Sequence, residues 1–455
     1  MRIQLSQSKA QELGRKIRDF GVSYTQPNQE KVFSHNLAQE VEKTFHHQTS
    51  QDQRTEFVEP LWKIIGGYSD NAVVNLKSVS TLERVSGETY PIVPAFKDSP
   101  DVILKIISKN GKTTIPEINF DKGGLAHNTT EALKLLGILA YTPSLLGNIS
   151  DPISLLHKHL LDVSGIDTSL SVRTVAGTYL HTCFYVEDNG EPKEFWMAQV
   201  REPFEKTEIS ELTDLIKKCC ETNPGEPLVL AAIPPVGTDN RYWTQQLIEE
   251  IAEPNNNPVL FNPKQYDYLD NTKTSFLIDL FLQKKLNLIK PNLEEFVQFL
   301  KFAYVIKGSE EDEVRQRLYK DVEKGKFKNL TELGKKLVSK LDPDSGVLVI
   351  SLGKHGAVII NKKYALYSKA PEIGKGGCPS GAGDSGIASI IAEARDLIKG
   401  KINFKSKLND ADLNRLLLAF IYAASATASL PGNKIAGPHE INALKQQELK
   451  TRLIK

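Results

Sequence analysis

The sequence predicts an α/β fold in which helices cover both faces of a mostly parallel sheet. From about residue 225 onward, short apolar segments such as LVLAAIPP, PVLFNP and GVLVISLG alternate with segments of helical periodicity. Parallel strands are apolar almost throughout because both of their faces are buried under the helices that connect them. Ligands bind such sheets at the carboxyl ends of the strands, so we expect the functional residues there.

The amino-acid composition argues against several classes of protein, including nucleic-acid-binding, membrane-bound and disulfide-rich proteins. The 455 residues include 25% charged and 40% hydrophobic residues, with a formal net charge of +1. These are ordinary globular values, and they favour neither nucleic acid nor an anionic membrane as a partner. No two of the four cysteines have CxxC spacing, so neither a disulfide framework nor a thiolate zinc site is expected. No apolar run approaches the ~20 residues that cross a bilayer, and no signal peptide is recognisable, so we expect a cytoplasmic protein.

Three regions are predicted along the chain. Residues 1–89 are polar, compatible with helix and free of chemical motifs, so they are interpreted as an N-terminal helical extension. Residues 90–440 form the main domain, with strands rich in β-branched residues at about 101–120 and 172–200. A C-terminal tail helix is predicted for residues 441–455. The highly charged stretch at 308–336 is interpreted as a solvated helical insertion.

The segment GGCPSGAGDSGI at 376–387 is the most informative motif. The first amides of a helix have no intrahelical acceptor and carry the positive end of its dipole, which suits them to bind phosphate. Gly381, Ala382 and Gly383 are small enough for a phosphoryl group to approach the backbone. Asp384 would then accept the proton of an attacking hydroxyl group. The alternative is that Asp384 only caps a glycine-rich turn.

This motif resembles the C-terminal signature of the ribokinase-like, or PfkB-type, carbohydrate kinases. Four further segments match that family in the correct order: KGGLAHNTTEALKLLG at 122–137, VLFNP at 259–263, LIKPNLEEF at 288–296 and VLVISLGKHGAVI at 347–359. The resemblance covers residues from about 90 to 440. It implies a ribokinase-like fold with a small β lid, formed by the strands near 101–120 and 172–200. It also implies transfer of the γ-phosphate of ATP to a hydroxyl group of a sugar or sugar phosphate.

The resemblance assigns roles at the phosphate end of the site. Asp384 is the expected base, and the amides of the Gly381–Asp384 segment are the expected anion hole. Asn292 and Glu295 would bind Mg²⁺ through its waters, the alternative being that Asn292 caps a surface helix. The expected nucleotide site comprises Asn262, Ser351, Gly353 and Gly356. The alternative for the two glycines of this set is a simple hairpin turn.

The sugar end is expected at the N-terminal motif. Asp101 is the candidate for the aspartate that accepts hydrogen bonds from sugar hydroxyls, and Asp98 is its rival. Gly123 and Gly124 would let the sugar ring lie against the backbone. Asn128 offers both a donor and an acceptor in its side-chain amide.

The chain departs from the family pattern after the glycine pair. The family often has Lys-Gly there, whereas this chain has Leu125 and Ala126. The missing lysine disfavours a phosphorylated substrate, because that charge would pair with the substrate phosphate. Lys122, Arg173 and Arg201 are the candidate replacements.

Several alternatives stay open at the level of sequence. His127 is either a sugar ligand or a residue at a helix start. The same fold would also serve a kinase of a nucleoside or a vitamin-like alcohol. A non-catalytic ligand-binding relative is a further alternative, which the intact Asp384 and the Asn292 and Glu295 pair disfavour, because a pure binder needs no base. The larger ADP-dependent sugar kinases normally lack the Lys-Pro-Asn and Pro-Ser-Gly-Ala-Gly-Asp-Ser forms, which favours ATP as the donor. The resemblance also allows a homodimer through the lid.

Overall fold

The computed structural model of the chain describes residues 90–96, 100–109, 112–148, 151–175, 178, 181–188, 191–198, 205–231, 247–263, 286–341, 346–374, 377–397, 408–431 and 434–454. The predicted N-terminal extension at 1–89, Asp98 and Arg201 lie outside the described residues.

Short strands and longer helices alternate along the described residues. The strands are β1 (Asp101–Lys109), β2 (Lys112–Asp121), β3 (Ser144–Leu146), β4 (Ser171–Arg173), β5 (His181–Asp188), β6 (Glu191–Ala198), β7 (Leu228–Ala231), β8 (Val259–Asn262), β9 (Leu288–Ile289), β10 (Val347–Ser351), β11 (Ala357–Ile360), β12 (Ala365–Ser368) and β13 (Thr451–Leu453). The helices are α1 (Leu125–Leu135), α2 (Pro152–Val163), α3 (Lys206–Thr222), α4 (Leu293–Phe302), α5 (Glu311–Glu323), α6 (Lys328–Val338), α7 (Ala382–Leu397), α8 (Asp410–Ala428) and α9 (Pro438–Lys445).

The central sheet has seven strands in the order β13-β12-β11-β10-β9-β8-β7. Strands β7 to β10 are mutually parallel, whereas β11, β12 and β13 continue the sheet in antiparallel fashion. Ile92 bridges both Leu228 and Tyr141 in parallel, and Ala95 bridges Ser144, so the layer continues beyond β7. The predicted α/β class with a mostly parallel sheet is confirmed.

The two faces of the sheet bury separate apolar clusters because successive residues of a strand point to opposite sides. In β10, Leu348 and Ile350 belong to one cluster with α3, α4, α5 and α6, while Val347 and Val349 belong to the other with α1, α7 and α8. The apolar character of GVLVISLG follows from this double burial.

A second sheet of four strands has the order β2-β1-β5-β6. Strand β1 pairs antiparallel with β2 and parallel with β5, and β5 pairs antiparallel with β6. These strands fall in the two segments that were predicted to form the lid. Strand β2 ends at Asp121, immediately before the glycine pair that leads into α1.

The C-terminal segment corrects one prediction. Residues 441–455 were expected to form a tail helix, but α9 ends at Lys445 and the chain then forms β13. Strand β13 pairs antiparallel with β12 and covers the edge of the central sheet. An edge strand presents unpaired backbone groups, so these hydrogen bonds explain why the chain becomes extended.

The charged stretch at 308–336 also differs from expectation. Helices α5 and α6 bury Val314, Leu318, Val322, Leu330 and Leu337 in the main core cluster. These helices are amphipathic and cover the sheet, so the segment is part of the fold rather than a solvated insertion. No helix in the described part of the chain is long and apolar enough to span a bilayer.

Candidate active site

Asp384 lies in the first turn of α7, next to the carboxyl end of strand β8. Its side chain is only 3% exposed. The turn that leads into the helix requires glycine at Gly381, whose φ is +75°. A Cβ atom at that position would lie 2.8 Å from Ile435 Cδ1. The Ser385 amide donates to the Gly381 carbonyl over 2.9 Å, which fixes the carboxylate relative to the turn.

Two asparagines hold the Asp384 carboxylate. Asn262, at the end of β8, donates from Nδ2 to Oδ1 over 2.7 Å. Asn128, in α1, donates from Nδ2 to Oδ2 over 3.2 Å. The Oδ1 atoms of both asparagines are buried and make no hydrogen bond in the structure. Buried polar atoms are nearly always paired, and these two oxygens could accept hydrogen bonds from a bound ligand.

The predicted anion hole lies beside a lysine. A Cβ atom at Gly383 would collide with Nζ of Lys290, whose side chain is 6% exposed at the end of β9. An ammonium group therefore lies directly against the first turn of α7. The Ala382 amide, one of those predicted to form the anion hole, donates to the Pro379 carbonyl over 3.2 Å and is therefore already engaged.

Asn292 and Glu295 form a capping box at the start of α4. The Glu295 amide donates to Asn292 Oδ1 over 2.8 Å, and the Asn292 amide donates to Glu295 Oε2 over 2.7 Å. The capping alternative thus describes their local geometry. The described residues contain no group of three or more His, Cys, Asp and Glu side chains able to hold a metal. The single buried carboxylate of Glu295 could bind Mg²⁺ through the waters of the ion, but it is too few ligands to coordinate the ion directly.

The predicted nucleotide strand is adjacent to this cap. The Ser351 amide donates to the Pro291 carbonyl over 3.0 Å, and Ser351 bridges Asn292. The segment between β10 and β11 is a tight turn, in which the Leu352 amide donates to the Gly356 carbonyl over 2.8 Å. A hairpin therefore exists here, and it lies at the same sheet edge as the lysine and the capping box.

The predicted sugar end contains an ion-pair cluster. Asp101, 4% exposed at the start of β1, pairs in register with Asp121 at the end of β2. Lys122 Nζ forms ion pairs with Asp121 Oδ1 at 3.5 Å and with Glu131 Oε2. Burial raises the pKa of Asp121, and the charges of Asp101 and Glu131 add to that rise while Lys122 opposes it. Burial alone would lower the pKa of Lys122, but Asp121 and Glu131 raise it above its ordinary value.

The glycine pair and His127 complete the turn into α1. Gly123 and Gly124 have φ values of +57° and +83°, which glycine adopts without strain. His127 is buried in the first turn of α1, with Nε2 3.4 Å from Ser144 Oγ and its ring centroid 5.3 Å from that of His157. Burial holds the pKa of His127 well below its usual value, and the nearby His157 and Lys122 lower it further.

The structure thus brings Asn128, Asn262, Gly381, Gly383 and Asp384 into one cluster. Asn262 was predicted to contact the nucleotide, and in the structure its side-chain amide donates to Asp384. Sequence reasoning missed Lys290, although it quoted the segment that contains it. The signal was available, since a lysine directly after an apolar strand points to the ligand edge of the sheet.

Comparison with known proteins decides the family. The profile of the "pfkB family carbohydrate kinase" matches residues 100–401. The chain belongs to the pfkB family of carbohydrate kinases. The resemblance seen in the five sequence segments is thereby confirmed. No curated protein sequence matches this pfkB kinase significantly.

Solved structures show that this pfkB kinase has the ribokinase-like fold. Phosphofructokinase-2 from Escherichia coli in complex with fructose-6-phosphate matches with a TM-score of 0.55 and 17% identity, covering 79% of this chain and 98% of that one. Ribokinase from Thermotoga maritima matches with a TM-score of 0.51 and 17% identity, covering 79% and 100%. A possible 1-phosphofructokinase from the same organism matches with a TM-score of 0.55 and 14% identity, covering 80% and 100%.

Proposed function

We propose that this pfkB kinase transfers the γ-phosphate of ATP to a hydroxyl group of a sugar or sugar phosphate, with Asp384 as the base. The observation that supports this most directly is the buried Asp384 carboxylate. It lies in the first turn of a helix, the Lys290 ammonium lies against the preceding Gly383, and both carboxylate oxygens accept from asparagine amides. A carboxylate next to a phosphate site is repelled unless it takes up a proton, which is the task of a base.

The step balances as an in-line displacement. The substrate hydroxyl loses its proton to the Asp384 carboxylate as its oxygen forms a bond to the γ-phosphorus. The bond between that phosphorus and the β–γ bridging oxygen breaks, and ADP leaves. The catalytic contribution is chiefly positioning and charge stabilisation.

Each flanking group has a role in this proposal. The amides of Gly381 and Gly383, together with Lys290, would stabilise the charge that develops on the transferring phosphoryl group. Ala382 would contribute after exchanging its hydrogen bond to Pro379. Asn262 would act through Asp384 rather than on the nucleotide.

The other predicted site residues are proposed to bind the nucleotide, the metal ion and the sugar. Ser351, Gly353 and Gly356 would receive the nucleotide. Mg²⁺, when bound, neutralises phosphate charge, and Asn292 and Glu295 would hold it through its waters. Asp101, Gly123, Gly124 and Asn128 would contact the sugar, and the second sheet would exclude water as a lid.

The test is Asp384→Asn, which keeps the size and shape of the side chain but removes the base and replaces one of its two acceptor oxygens with a donor group. We expect kcat to fall by about 10²- to 10⁴-fold while ATP binding, measured by calorimetry, is retained. Asp410→Asn is the matched control, because Asp410 is an exposed aspartate in the first turn of α8. Full turnover in Asp384→Asn would refute the assignment of the base.

A further inference from the structure

The segment between β4 and β5 leads the chain into the second sheet. Strand β4 pairs with β3, whereas β5 is an inner strand of the second sheet, between β1 and β6. Strand β5 begins at His181, which pairs in register with Asp101 at the start of β1. Asp101 is a proposed sugar contact, so whatever fixes the start of β5 also bears on the sugar end of the site.

Thr178, three residues before β5, is held through its backbone amide by helix α2. This amide donates to Asp151 Oδ2 over 2.7 Å and to Ser154 Oγ over 3.1 Å. Asp151 is the N-cap of α2 and already accepts from the amides of Ile153 and Ser154, each over 3.3 Å. Capping requires only those bonds. The bond to Thr178 is therefore an additional contact, which joins two segments 27 residues apart.

The hydroxyl group of Thr178 belongs to a chain of hydrogen bonds. Ser154 donates its hydroxyl proton to Asp151 Oδ2 over 2.8 Å, so the Thr178 hydroxyl, 2.6 Å away, donates to Ser154 Oγ. Thr178 Oγ1 in turn accepts from the Gly147 amide over 3.1 Å. A Cβ atom at Gly147 would collide with both hydroxyl oxygens, so this close approach requires glycine. Because Asp151, Ser154 and Thr178 are all buried, losing one partner leaves another polar group unsatisfied, which is costly.

The same segment is also tied to helix α3 and to the end of β3. The Val175 amide donates over 2.6 Å to Oε1 of Glu208, a buried residue in the first turn of α3. Arg173, a candidate replacement for the missing substrate-binding lysine, donates from Nη1 to the Gly147 carbonyl over 3.4 Å. The chain from 173 to 178 is thus fastened to three elements of the main domain before it enters the second sheet.

We propose that Thr178 is a positioning residue for the kinase reaction. Together with Asp151 it anchors the start of β5, and through the register of β5 with β1 it holds Asp101 and the second sheet in place at the sugar end. The inference rests on the proposed function, in which Asp101 contacts the sugar and the second sheet excludes water. A loosened anchor weakens sugar binding and admits water, while the nucleotide end of the site is unaffected.

Water that enters the site takes the place of the sugar hydroxyl. Its oxygen forms a bond to the γ-phosphorus while Asp384 takes up one of its protons. The bond between that phosphorus and the β–γ bridging oxygen breaks, and the products are ADP and inorganic phosphate. Hydrolysis of ATP in the absence of a sugar therefore measures how well the second sheet excludes water.

The first variant is Thr178→Val, which keeps the shape of the side chain and the backbone amide but removes the hydroxyl group. For whichever of D-ribose, D-fructose and fructose 6-phosphate is turned over, we expect the KM of the sugar to rise by about 3- to 10-fold. The KM of ATP should not change. The rate of ATP hydrolysis without sugar, relative to phosphotransfer with sugar, should rise by about fivefold or more. Thr178→Ser restores the hydroxyl group and should restore the native values.

A second variant and a control separate anchoring from general destabilisation. Asp151→Ser retains a good N-cap for α2, but its side chain is one bond shorter and ends before the Thr178 amide. It should change the sugar KM and the hydrolysis ratio in the same direction as Thr178→Val. Thr213→Val is the matched control, because the Thr213 hydroxyl is also buried but donates within α3, to the Ile209 carbonyl over 2.7 Å. Its hydrolysis ratio should be native.

Hydrogen exchange tests the anchor without a substrate. The backbone amides of β5 should exchange faster in Thr178→Val and Asp151→Ser than in the native protein or in Thr213→Val. A native hydrolysis ratio, or native exchange of β5, in both anchor variants would overturn the inference and leave the proposed function standing. If the native protein transferred phosphate to none of the three sugars, the proposed function would be overturned, and the catalytic role of Thr178 with it.

Discussion

Asn262 donates its side-chain amide to Asp384 over 2.7 Å, joining the end of strand β8 to the first turn of α7 across 122 residues of sequence. An amide that donates to a carboxylate fixes the direction of the remaining lone pairs and stabilises the ionised form. The proposed base is therefore aimed by a residue of the central sheet, and its orientation depends on how β8 and α7 pack.

The first prediction follows from that hydrogen bond. Asn262→Ala should lower kcat by about 10- to 100-fold, since a hydrogen bond to a charged group contributes ~1.5–3 kcal/mol. The KM of the hydroxyl substrate should stay near that of the native protein, because Asn262 acts through Asp384. Asn128→Ala should lower kcat less, given its longer 3.2 Å bond, and should raise that KM. Steady-state kinetics with varied hydroxyl substrate separate the two effects.

Asn255→Ala provides the matched control for this prediction. Asn255 also donates a partly buried side-chain amide, here to the Ile251 carbonyl over 2.7 Å, but it precedes β8 at the opposite end from Asn262. Its kinetics should match those of the native protein. Native kcat in Asn262→Ala would contradict the positioning role.

The second prediction concerns the contact between Gly383 and Lys290. Gly383→Ala places a methyl group where Lys290 Nζ lies, so the lysine side chain must move away from the first turn of α7. Alanine favours helix over glycine by roughly 0.8–1 kcal/mol, so the melting temperature should not fall. We expect kcat to fall by about 10- to 100-fold as the ammonium leaves the phosphoryl path.

Gly374→Ala is the control for the same substitution without a steric clash, because a Cβ atom there meets no atom within 4 Å. It should leave both kcat and the melting temperature unchanged. If Gly383→Ala is less stable but fully active per folded molecule, Lys290 does not act on the phosphoryl group.

The parts of the fold that sequence predicted are those with an unambiguous local signal. Strand β10 is buried on both faces, so its residues read as one continuous apolar run. The prediction for the charged stretch at 308–336 was wrong because its many charged residues obscured the regular spacing of its apolar residues. Val314, Leu318 and Val322 recur every four residues on α5, as a helix with one buried face requires.

The C-terminal strand had no comparable signal. Three residues, Thr451–Leu453, are too few to show a period of two, and only the neighbouring strand β12 determines their conformation. The helix expected there followed local composition, which tertiary hydrogen bonding overrides.

The functional site also has a part that the sequence predicts and a part that it does not. The motif containing Asp384 was recognisable because glycines, an aspartate and a helix start occur together in sequence. The sequence did not predict that Asn128 and Asn262 bind the same carboxylate, because they lie on different elements and were assigned to different ligands. Likewise, the engagement of Lys122 by Asp121 and Glu131 depends on how β2 packs on α1.

The last prediction uses the buried His127. Its pKa is well below the ordinary value because it is buried, with His157 and Lys122 nearby. In the unfolded chain its pKa is about 6.5, so below that pH the unfolded state binds a proton that the native state does not. Stability contributed by His127 is therefore complete above about pH 7.5 and is lost as the pH falls below about 6.5. Between pH 7.5 and 5.5 this one group should lower the free energy of unfolding by about 1.4 kcal/mol.

Urea unfolding at pH 7.5, 6.5 and 5.5 measures this loss. His127→Gln keeps a polar side chain at the position but cannot take up the proton, so its free energy of unfolding should fall by about 1.4 kcal/mol less than that of the native protein over the same range. His439→Gln is the control, because the His439 side chain is 93% exposed, and its pH dependence should equal that of the native protein. A His127→Gln variant as sensitive to pH as the His439→Gln control would show that His127 takes up its proton without unfolding. The first turn of α1, which contains His127, would then have to open locally at mildly acidic pH.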